Sequence, residues 1–542
     1  MKPPELQQIR ESTGSRSTDP AVEGVSRRIL CVFPHYTKSF GTFDNAYPLL
    51  GVKAFMPPQG LLTIAAYLPK HWEVRFIDEN VRPASAKDFR WADAVFLSGM
   101  HIQRRQINDI NARAHAFGKP TALGGPSVSG CQDYYPDIDY LHIGELGDAT
   151  DALISALARS TQRPATQQLL ATSERLPLAS FPTPAYALAG MSKYFLANVQ
   201  FSSGCPYRCE FCDIPELYGQ NPRLKTPEQI IAELDAIVAD GAVGAVYFVD
   251  DNFVGNRKAA KELLPHLIDW QKRNKYPLEF ACEATLNIVR SPDLLEMMRE
   301  ASFWTIFCGI ETPDPAALKA MSKQQNNEIP LLEAVQTLNS YGIEVVSGMI
   351  MGLDTDTPDT PNRILEFVEA SNIPVLTINL LEALPRTPLH RRLQAEGRLV
   401  PPDAMDGRES NVEFKLPYAE VLSMWRRTFL TAFAPEAIYR RFLYNQQHTY
   451  PNRIEVPPTG KLSLVNVYRG LSTLTKLIVK VGLFSDYRRT FWRMAKPALK
   501  TGDIETVIHV SLVAHHMISY AREAEAGFQT ASFYSPKLEQ TV

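Results

Sequence analysis

The stretch Gly204-Cys205-Pro206-Tyr207-Arg208-Cys209-Glu210-Phe211-Cys212 places three cysteines four and three residues apart. A loop this short can converge three thiolates on one metal centre, which suits an iron–sulfur cluster held by cysteine sulfurs. Because a four-iron cluster has four irons, three ligands leave one iron open to bind another molecule. The alternative is a zinc site, which usually needs four protein ligands, and Cys282 and Cys308 lie far along the chain in strand-like runs. The spacing therefore favours an iron–sulfur cluster on Cys205, Cys209 and Cys212.

Length and composition indicate a large globular protein of the cytoplasm. The chain has 542 residues, 45% of them hydrophobic and 21% charged, enough for about three to four domains. A net charge of −3 argues against a protein that binds nucleic acid through many phosphate contacts. Seven cysteines do not make an even disulfide framework and suit a reducing compartment. The N-terminus is polar, which argues against a secretory signal. The sequence has no charge-free apolar run of about 18 residues, so no membrane-spanning helix is expected.

Short apolar strands alternate with segments of helical length in the first part of the chain. This alternation predicts a parallel, doubly wound sheet, whose ligands lie at the carboxyl ends of the strands. The strands are expected at Ile29–Phe33, Glu73–Ile77, Ala94–Ser98, Thr121–Leu123 and Asp139–Ile143. The loops that follow three of them supply candidate binding residues: Ser98, Gly99, His101, Gly124, Gly125, Ser127, Gly144 and Glu145. Taken alone these loops are a weak signal, because glycines are common in the turns of any α/β fold.

A second series of strands and helices begins just before the cysteine loop. The helix after that loop opens with the capping box Thr226-Pro227-Glu228-Gln229. Six strand–helix repeats predict a partial barrel with its chemistry at the carboxyl ends of the strands. The strands are expected at Phe195–Ser202, Ala245–Val249, Leu278–Glu283, Thr305–Ile310, Glu344–Met351 and Val375–Leu381. Polar or glycine residues stand at those ends: Asp250, Asp251, Glu283, Glu311, Gly348 and Gly352.

The last part of the chain, residues 401–542, is predicted to be mostly helical and is basic. It holds 18 Lys and Arg against 13 Asp and Glu, although the whole chain carries a net charge of −3. Between Leu462 and Val481, apolar residues alternate with lysines and an arginine. Two readings remain open: a basic amphipathic helix on an anionic membrane surface, or a helix that packs on the core with its lysines in water.

These patterns divide the chain into five segments. Residues 1–27 are expected to form a disordered leader and residues 159–194 an extended, helix-free linker, because prolines recur there. The expected folded parts are an α/β domain at 28–158, the partial (β/α)6 barrel at 195–400, and a helical C-terminal domain at 401–542.

The cysteine loop, with an aromatic residue before its last cysteine, closely resembles the signature of radical S-adenosylmethionine (SAM) enzymes. The resemblance implies that the open iron chelates SAM and that an electron from the reduced 4Fe-4S cluster cleaves it to a 5′-deoxyadenosyl radical. It also implies SAM-binding roles for Asp250 and Asp251 at the amino group, and for Glu311 within Gly309-Ile310-Glu311-Thr312. The motif from Gly348 to Gly352 and the backbone of Phe211 would contact adenine. Glu283 is either a further SAM residue or an ordinary strand end.

An α/β domain directly before such a core resembles the cobalamin-binding domain of cobalamin-dependent radical SAM enzymes. The resemblance implies that the glycine loops hold the corrin and its nucleotide tail. One departure concerns the D-x-H-x-x-G motif of other cobalamin proteins, because His101 has Gly99 and Arg104 at the flanking positions. Ligation of cobalt by a lower-face histidine is therefore unsupported. His101 either lines the corrin site or is a loop histidine that hydrogen-bonds backbone.

Longer stretches resemble the hopanoid C-2 methylase group of these methyltransferases. They include Ala54-Phe55-Met56-Pro57-Pro58-Gln59-Gly60, Ser98-Gly99-Met100-His101-Ile102-Gln103 and Tyr247-Phe248-Val249-Asp250-Asp251-Asn252-Phe253. The resemblance implies a C-methyltransferase that uses one SAM as radical source and another to remethylate cobalamin. It further implies an apolar polycyclic lipid substrate, a ferredoxin or flavodoxin as electron donor, and peripheral contact with the inner face of the membrane.

Two other functions fit parts of the sequence. An enzyme with the same cofactors could catalyse cyclisation or rearrangement without methyl transfer, and labelled SAM methyl would then never reach the product. A sensor that only binds cobalamin and a structural metal would need no SAM pocket. The ordered set of strand ends from Asp250 to Gly352 argues against the sensor.

Overall fold

The computed structural model describes residues 10–11, 19–20, 22–241, 243–401, 408–455 and 464–527. The expected leader, residues 1–27, lies largely outside them. The chain forms two compact units: Met1–Thr37, Met56–Cys205 and Asp213–Ala242 make the first, and Lys38–Phe55, Pro206–Cys212 and Val243–Val542 make the second. The domain boundaries given by the sequence patterns stay a prediction.

The first unit contains a six-stranded sheet in which every neighbouring pair is parallel. Its strands are β1 Arg28–Phe33, β2 Glu73–Asp78, β3 Ala94–Ser98, β4 Thr121–Gly124, β5 Tyr140–Ile143 and β6 Gln168–Ala171. The order across the sheet is β2-β1-β3-β4-β5-β6. The five strands expected from the apolar runs are confirmed, and the sixth lies inside the expected linker.

Helices cover both faces of this sheet, which explains why its strands read as continuous apolar runs. Successive residues of β1 enter two separate cores: Ile29 and Cys31 pack on one side, and Leu30 and Val32 on the other. The doubly wound arrangement expected from the sequence is therefore confirmed. The helices of the first unit are Gln59–Tyr67, Ala86–Trp91, Arg104–Ala116, Pro126–Gly130, Asp148–Arg159, Tyr186–Ala189, Ile214–Leu217 and Pro227–Ala239.

The segment expected to be a helix-free linker contains regular structure. Besides β6, it forms the short helix Tyr186–Ala189, so the helix-free prediction is wrong there. Prolines restrain the residue before them, and the last of this group, Pro184, stands just ahead of the helix rather than inside it. Gly190 ends the helix with a φ of 70°. The segment is also anchored, because the Tyr186 hydroxyl donates a 2.8 Å hydrogen bond to the carbonyl of Asn198.

Six strands form where the sequence predicts the partial barrel. Strand β7, Ala197–Val199, belongs to the first unit. In the second unit, neighbouring strands pair in parallel and in chain order: β8 Ala245–Phe248, β9 Glu279–Glu283, β10 Phe303–Glu311, β11 Glu344–Met351 and β12 Val375–Leu380. The helices that alternate with β8–β12 are Arg257–Arg273, Pro292–Glu300, Pro315–Ala320, Leu331–Ser340, Thr360–Ser371 and Pro388–Ala395.

The C-terminal part of the second unit is helical, as predicted. A buried histidine on its last helix fixes the segment Lys38–Phe55, which belongs to the same unit: His516 accepts a 3.3 Å hydrogen bond from the backbone N–H of Asn45 and lies 3.1 Å from the carbonyl of Ser39. The helices here are Tyr47–Leu50, Tyr418–Ala432, Pro435–His448, Leu464–Leu477, Arg488–Thr501 and Ile504–Glu525, with a π-helical turn at Ile478–Leu483. Among the described residues, none of the helices has the length and apolar character needed to cross a bilayer.

The basic amphipathic stretch lies partly outside the described residues, which exclude Lys461 and Leu462 and the side chain of Val465. Within the described part, Leu477 and Val481 are fully buried. The ammonium of Lys476 donates a 3.2 Å hydrogen bond to the carbonyl of Leu49. This face of the stretch therefore packs on the protein rather than facing solvent.

Candidate functional site

In the first unit, the chain enters the cysteine loop through a short antiparallel pairing. Ser202 and Ser203 pair with Leu224 and Arg223, and the N–H of Cys205 donates a 3.2 Å hydrogen bond to the carbonyl of Gly219. Gly204 has a φ of +102°, and a Cβ there would lie 2.8 Å from that carbonyl oxygen. Only glycine fits this approach, which aims the loop from Cys205 onward.

Arg223 is a site residue that the sequence patterns missed. Its guanidinium donates to Glu145 at 2.6 Å and to the hydroxyl of Ser203 at 3.0 Å. The side chain is 9% exposed, and its Nε and Nη1 atoms are buried with no partner among the described residues. The pairing joins the glycine loop after β5 to the strand that leads into the cysteine loop. Glu145, expected to bind cobalamin, therefore has a charged protein partner.

The three glycine loops of the α/β sheet are linked by hydrogen bonds that backbone N–H groups donate. The N–H of Ser127 donates to the carbonyl of Gly99 at 3.3 Å, and the N–H of Gly144 donates to the hydroxyl of Ser129 at 3.0 Å. The structure thus brings the predicted residues at the ends of β3, β4 and β5 together. Gly125 has a φ of +98°, and a Cβ there would overlap the Ser98 hydroxyl. Its conformation and its packing both require glycine, whereas a Cβ at Gly124 would have ordinary contacts.

His101 hydrogen-bonds a side chain rather than backbone. Its Nδ1 lies 3.2 Å from the hydroxyl of Ser127, which in turn hydrogen-bonds Tyr135. Its Nε2 is buried and has no partner among the described residues. Burial, with a smaller contribution from Arg104, lowers the pKa of His101 to about 4, so the ring is neutral at pH 7. A buried imidazole nitrogen without a hydrogen-bond partner among the described residues fits the expectation that His101 lines the corrin site, and that role stays a prediction.

In the second unit, Cys209 and Cys212 lie on a turn that is fixed from outside. The N–H of Cys212 donates to the carbonyl of Cys209 at 3.1 Å, and the N–H of Glu210 donates to the carbonyl of Met321 at 3.0 Å. The Gln325 amide donates a 3.4 Å hydrogen bond to the sulfur of Cys209. All seven cysteines are free of disulfides.

The ligand assignment rests on this donor set rather than on a preformed geometry. Among the described residues, no group of three His, Cys, Asp or Glu side chains is arranged to hold a metal ion. Three reduced thiols within eight residues nevertheless fit an iron–sulfur cluster, and the Gln325 hydrogen bond fits a sulfur that carries negative charge. The assignment of Cys205, Cys209 and Cys212 as ligands stays a prediction.

Glu311, at the end of β10, forms a buried ion pair with Lys323. Burial alone would lower the pKa of Lys323, but the charges of Glu311 and of Cys209 and Cys212 raise it. A Cβ at Gly309 would overlap both members of the pair, so the glycine of this motif makes room for it. Glu311 itself has a φ of 68°, an unusual conformation for a residue with a side chain. The predicted SAM residue is therefore already charge-paired, beside the cysteine turn.

Glu283, Asp250 and Asp251 stand at the ends of adjacent strands, as predicted. Burial raises the pKa of Glu283 to about 7, and the carboxylates of Asp251 and Asp250 act in the same direction. The hydroxyl of Tyr247 donates to Glu283 at 3.3 Å. A buried carboxyl group whose pKa is raised by burial and by neighbouring carboxylates fits a functional site. The SAM-binding role expected for Glu283 stays a prediction.

The remaining predicted residues are placed by packing. Gly352 has a φ of +91°, and a Cβ there would overlap the ring of Phe414. At Gly348 a Cβ would lie 3.3 Å from Phe307, a tight contact. The Lys323 ammonium lies 5.5 Å from the centroid of the Phe211 ring. Both glycines are thus explained by backbone conformation and neighbouring aromatic rings, and the contact with adenine expected for them stays a prediction.

Sequence patterns did not identify Arg223, Lys323, Gln325 or Phe414. Each acts on a residue that is distant in the chain or on another element, and none belongs to a motif with fixed spacing. A hint existed in the sequence for Lys323 alone, because this basic residue follows the motif residue Glu311 in the chain.

Two family models match the chain in adjacent segments. Residues 199–368 match the radical SAM superfamily, and residues 387–530 match a domain of unknown function, DUF4070. The cysteine loop, the parallel strands and the polar strand ends therefore define a radical SAM enzyme, which uses a 4Fe-4S cluster and SAM.

Two similar proteins indicate which kind of radical SAM enzyme this chain is. The chain is 60% identical to a hopanoid C-2 methylase of Rhodopseudomonas palustris (strain TIE-1), over 95% of this chain and 98% of that protein. It is also 32% identical to an uncharacterized methyltransferase of Synechocystis sp., over 95% of this chain and 97% of that protein. The chain belongs to the hopanoid C-2 methylase family and is a methyltransferase of the radical SAM superfamily.

Solved structures share the fold at low identity. A cobalamin-dependent SAM radical enzyme, OxsB with aqua-cobalamin and SAM bound, matches 93% of this chain and 81% of its own, with a TM-score of 0.58 and 16% identity. The radical SAM methyltransferase TsrM from Kitasatospora setae, with cobalamin and a [4Fe-4S] cluster bound, matches 92% of this chain and 100% of its own, with a TM-score of 0.56 and 14% identity. The predicted fold, an α/β domain followed by a partial barrel and helices, is confirmed.

Proposed function

We propose that this protein methylates C-2 of hopanoid lipids in a cobalamin-dependent radical SAM reaction. The observation that carries the proposal is the 60% identity to a hopanoid C-2 methylase over nearly the whole length of both proteins. The aligned residues extend far beyond the cofactor motifs and include the C-terminal region, whose residues can contribute to substrate specificity. The substrate is a saturated polycycle, and no neighbouring group acidifies the C–H bond to be replaced, so radical chemistry is required.

The described residues suit the three cofactors of this proposal. Cys205, Cys209 and Cys212 would hold the cluster, and Asp250, Glu283 and Glu311 lie at adjacent strand ends where SAM would bind. The loops from Ser98, Gly124 and Gly144 would hold cobalamin, with the buried Nε2 of His101 as an unpartnered polar atom in that region. When bound, the cluster and SAM supply hydrogen abstraction from an unactivated carbon, and cobalamin supplies the methyl group.

Neighbouring side chains fix the charge and the position of the carboxylates that would bind SAM. Lys323 holds the carboxylate of Glu311 in place, and Tyr247 donates a hydrogen bond to Glu283. With a pKa raised to about 7, Glu283 changes its protonation state within the physiological range. It can therefore accept a hydrogen bond from an ammonium group as a carboxylate, or donate one as an acid.

Two partners belong to the proposal. A ferredoxin or flavodoxin would supply the electron, because radical SAM chemistry needs a low-potential reductant. A lipid substrate requires access to a bilayer, which makes peripheral contact with the cytoplasmic face of the membrane part of the proposed function.

A strain deleted for this gene tests the substrate. Its hopanoids should lack the 2-methyl group, and the group should return when the wild-type gene is supplied in trans. The measurement is mass spectrometry of the hopanoid extract. A Glu311→Gln gene should fail to restore the 2-methyl group, because the partner of the buried Lys323 is lost.

An unchanged hopanoid profile in the deletion strain would overturn the substrate. If another methylated metabolite disappeared instead, the methyltransferase chemistry would stand and only the substrate would be wrong. If SAM labelled in its methyl group gave a changed but unlabelled product, the reaction would be a cyclisation or rearrangement.

A further inference from the structure

The helical segment that leads to residue 484 exposes several large apolar side chains. On the other side of the same segment, Leu477 and Val481 are fully buried, and the indole N–H of Trp492 donates a 2.8 Å hydrogen bond to the carbonyl of Gly482. The exposed side chains therefore stand on a fixed element. We call this set the apolar surface: Val467, Tyr468, Leu471, Val479, Leu483 and Phe484.

The spacing of the apolar surface follows the helix. Val467 and Leu471 are four residues apart, as are Val479 and Leu483, so each pair lies on one face. Phe484 is 80% exposed and Tyr468 is 73% exposed. Single exposed apolar residues are ordinary, but six within eighteen residues mark an interaction surface.

The charge of the surroundings selects the partner. Residues 464–502 contain eight Lys and Arg and one acidic residue, Asp486. That aspartate is already paired with Arg522 at 2.8 Å. Arg469, Lys480 and Arg488 are exposed beside the apolar surface. A basic helix with exposed aromatic and aliphatic side chains matches an anionic lipid surface, where the rings enter the interface and the cations meet headgroups.

We propose that the apolar surface and its basic flanks dock this protein on an anionic bilayer. The inference deepens the proposed function, on which it rests, because a lipid substrate must be reached from a membrane. Of the two interpretations of the sequence, the described residues agree with the helix that packs on the core, because Leu477 and Val481 are buried. The membrane contact is assigned instead to other side chains, Tyr468, Leu471 and Phe484, which are exposed.

Vesicle flotation of the full-length protein tests the docking. Vesicles of phosphatidylglycerol and phosphatidylcholine should bind the wild type, and vesicles of phosphatidylcholine alone should bind it at least tenfold more weakly. The variant Leu471→Glu/Phe484→Glu should lose at least tenfold in affinity for the anionic vesicles. Leu169→Glu is the matched control, because Leu169 is 52% exposed and Leu471 is 54% exposed. The control should bind like the wild type.

Equal binding of the wild type and the double variant would overturn the proposal, and so would a wild type that ignores anionic vesicles. A dimer in light scattering that the double variant abolishes would assign the surface to a second copy of the chain and would also overturn it. Formation of 5′-deoxyadenosine from SAM in vesicle-free solution tests the proposed function separately from docking. If the wild type formed no 5′-deoxyadenosine, the proposed function would be contradicted, but the docking proposal would not.

A separate observation concerns the turn Gln324–Asn326. Gln325 is 4% exposed and donates to the Cys209 sulfur at 3.4 Å. The neighbouring Asn326 fastens the turn to β10, because its amide donates to the carbonyl of Gly309 at 2.9 Å. Hydrogen bonds to the sulfurs of an iron–sulfur cluster are among the factors that set its reduction potential, since they favour the more negative, reduced state.

We infer that Gln325 is a positioning residue that raises the reduction potential of the cluster through Cys209. This inference rests on the proposed role of Cys209 as a ligand. Because the donor reaches a cysteine sulfur and not a substrate, its effect should be seen in the potential of the cluster even when SAM is absent.

An anaerobic redox titration followed by electron paramagnetic resonance tests Gln325. In Gln325→Leu the ratio of reduced to oxidised cluster at a fixed potential should fall about tenfold, which is ~59 mV for a one-electron couple. Gln325→Glu, which removes the donor at constant size, should shift in the same direction. Gln324→Leu is the control, because Gln324 is exposed and next in the chain.

Equal potentials in the wild type, Gln325→Leu and Gln325→Glu would overturn the inference, and so would an equal shift in Gln324→Leu. Failure of the wild type to assemble any cluster would instead contradict the ligand assignment in the proposed function.

Discussion

Replacing any one of Cys205, Cys209 or Cys212 with Ala is expected to remove the iron–sulfur cluster and all cleavage of SAM. With three protein ligands, the site has none to spare, and a cluster held by two cysteines is exposed to loss of iron. The measurements are iron and sulfide content per chain, visible absorbance after anaerobic reconstitution, and 5′-deoxyadenosine formed with SAM and a reductant. Each variant should fall to the background of a protein without a cluster.

Cys131→Ala is the matched control for these variants. Cys131 forms no disulfide, has intermediate exposure and lies outside the cysteine loop. Its replacement should leave iron content and SAM cleavage at the wild-type level. If one of the three loop variants kept its full iron and sulfide content, that cysteine would not be a ligand, and the assignment made from spacing would be wrong.

The second large effect is expected at the buried pair of Lys225 and Glu233, in the first unit. Both side chains are only 1% exposed. The hydroxyl of Tyr186, in the segment predicted to be a linker, lies 3.2 Å from a Glu233 oxygen and shares its one proton between that oxygen and the carbonyl of Asn198. Lys225→Met leaves an uncompensated carboxyl group in the interior, and removing one member of such a pair typically costs about 3–5 kcal/mol.

The cost of Lys225→Met should depend on pH. Burial raises the pKa of Glu233, and Lys225 opposes that rise. Without the lysine, the pKa of Glu233 in the folded state rises further above its unfolded value. At low pH the protein folds with a neutral, protonated Glu233. Its stability then falls as the pH rises above the unfolded pKa and through the folded pKa of this group. The variant should therefore be closer to wild type at pH 5 than at pH 8. Native-state hydrogen exchange of Ile230 and Leu234, buried on the helix Pro227–Ala239, reports the change.

The variant Lys225→Met/Glu233→Gln completes the test. The glutamine is neutral and its carbonyl oxygen can still accept from Tyr186, so most of the lost stability should return and the pH dependence should vanish. If the double variant were as unstable as Lys225→Met alone, the loss would come from packing of the lysine stem rather than from the unpaired carboxyl group.

Local patterns along the chain identified most of the strands and helices and the polar residues at the strand ends. Runs such as Ile29–Phe33 marked strands buried on both faces, and the capping box at Thr226 marked the start of a helix. The polar residues after β8 and β9 fell at one edge because parallel strands bring their carboxyl ends together. The same reasoning missed β6 and the helix Tyr186–Ala189, because prolines in that segment outweighed a weak strand and helix signal.

The sequence by itself determined the order of strands and helices, the cysteine loop and the positions of the strand-end residues, since each depends on neighbours within a few residues along the chain. Tertiary structure alone decided which charges meet. Glu311 meets Lys323, and Glu145 meets Arg223, across separations that no helical or strand period encodes. It also decided which face of the basic segment is buried, as Val481 lies inside and Phe484 outside. A period tells which residues share a face, but the partner of that face exists only after distant parts of the chain have packed together.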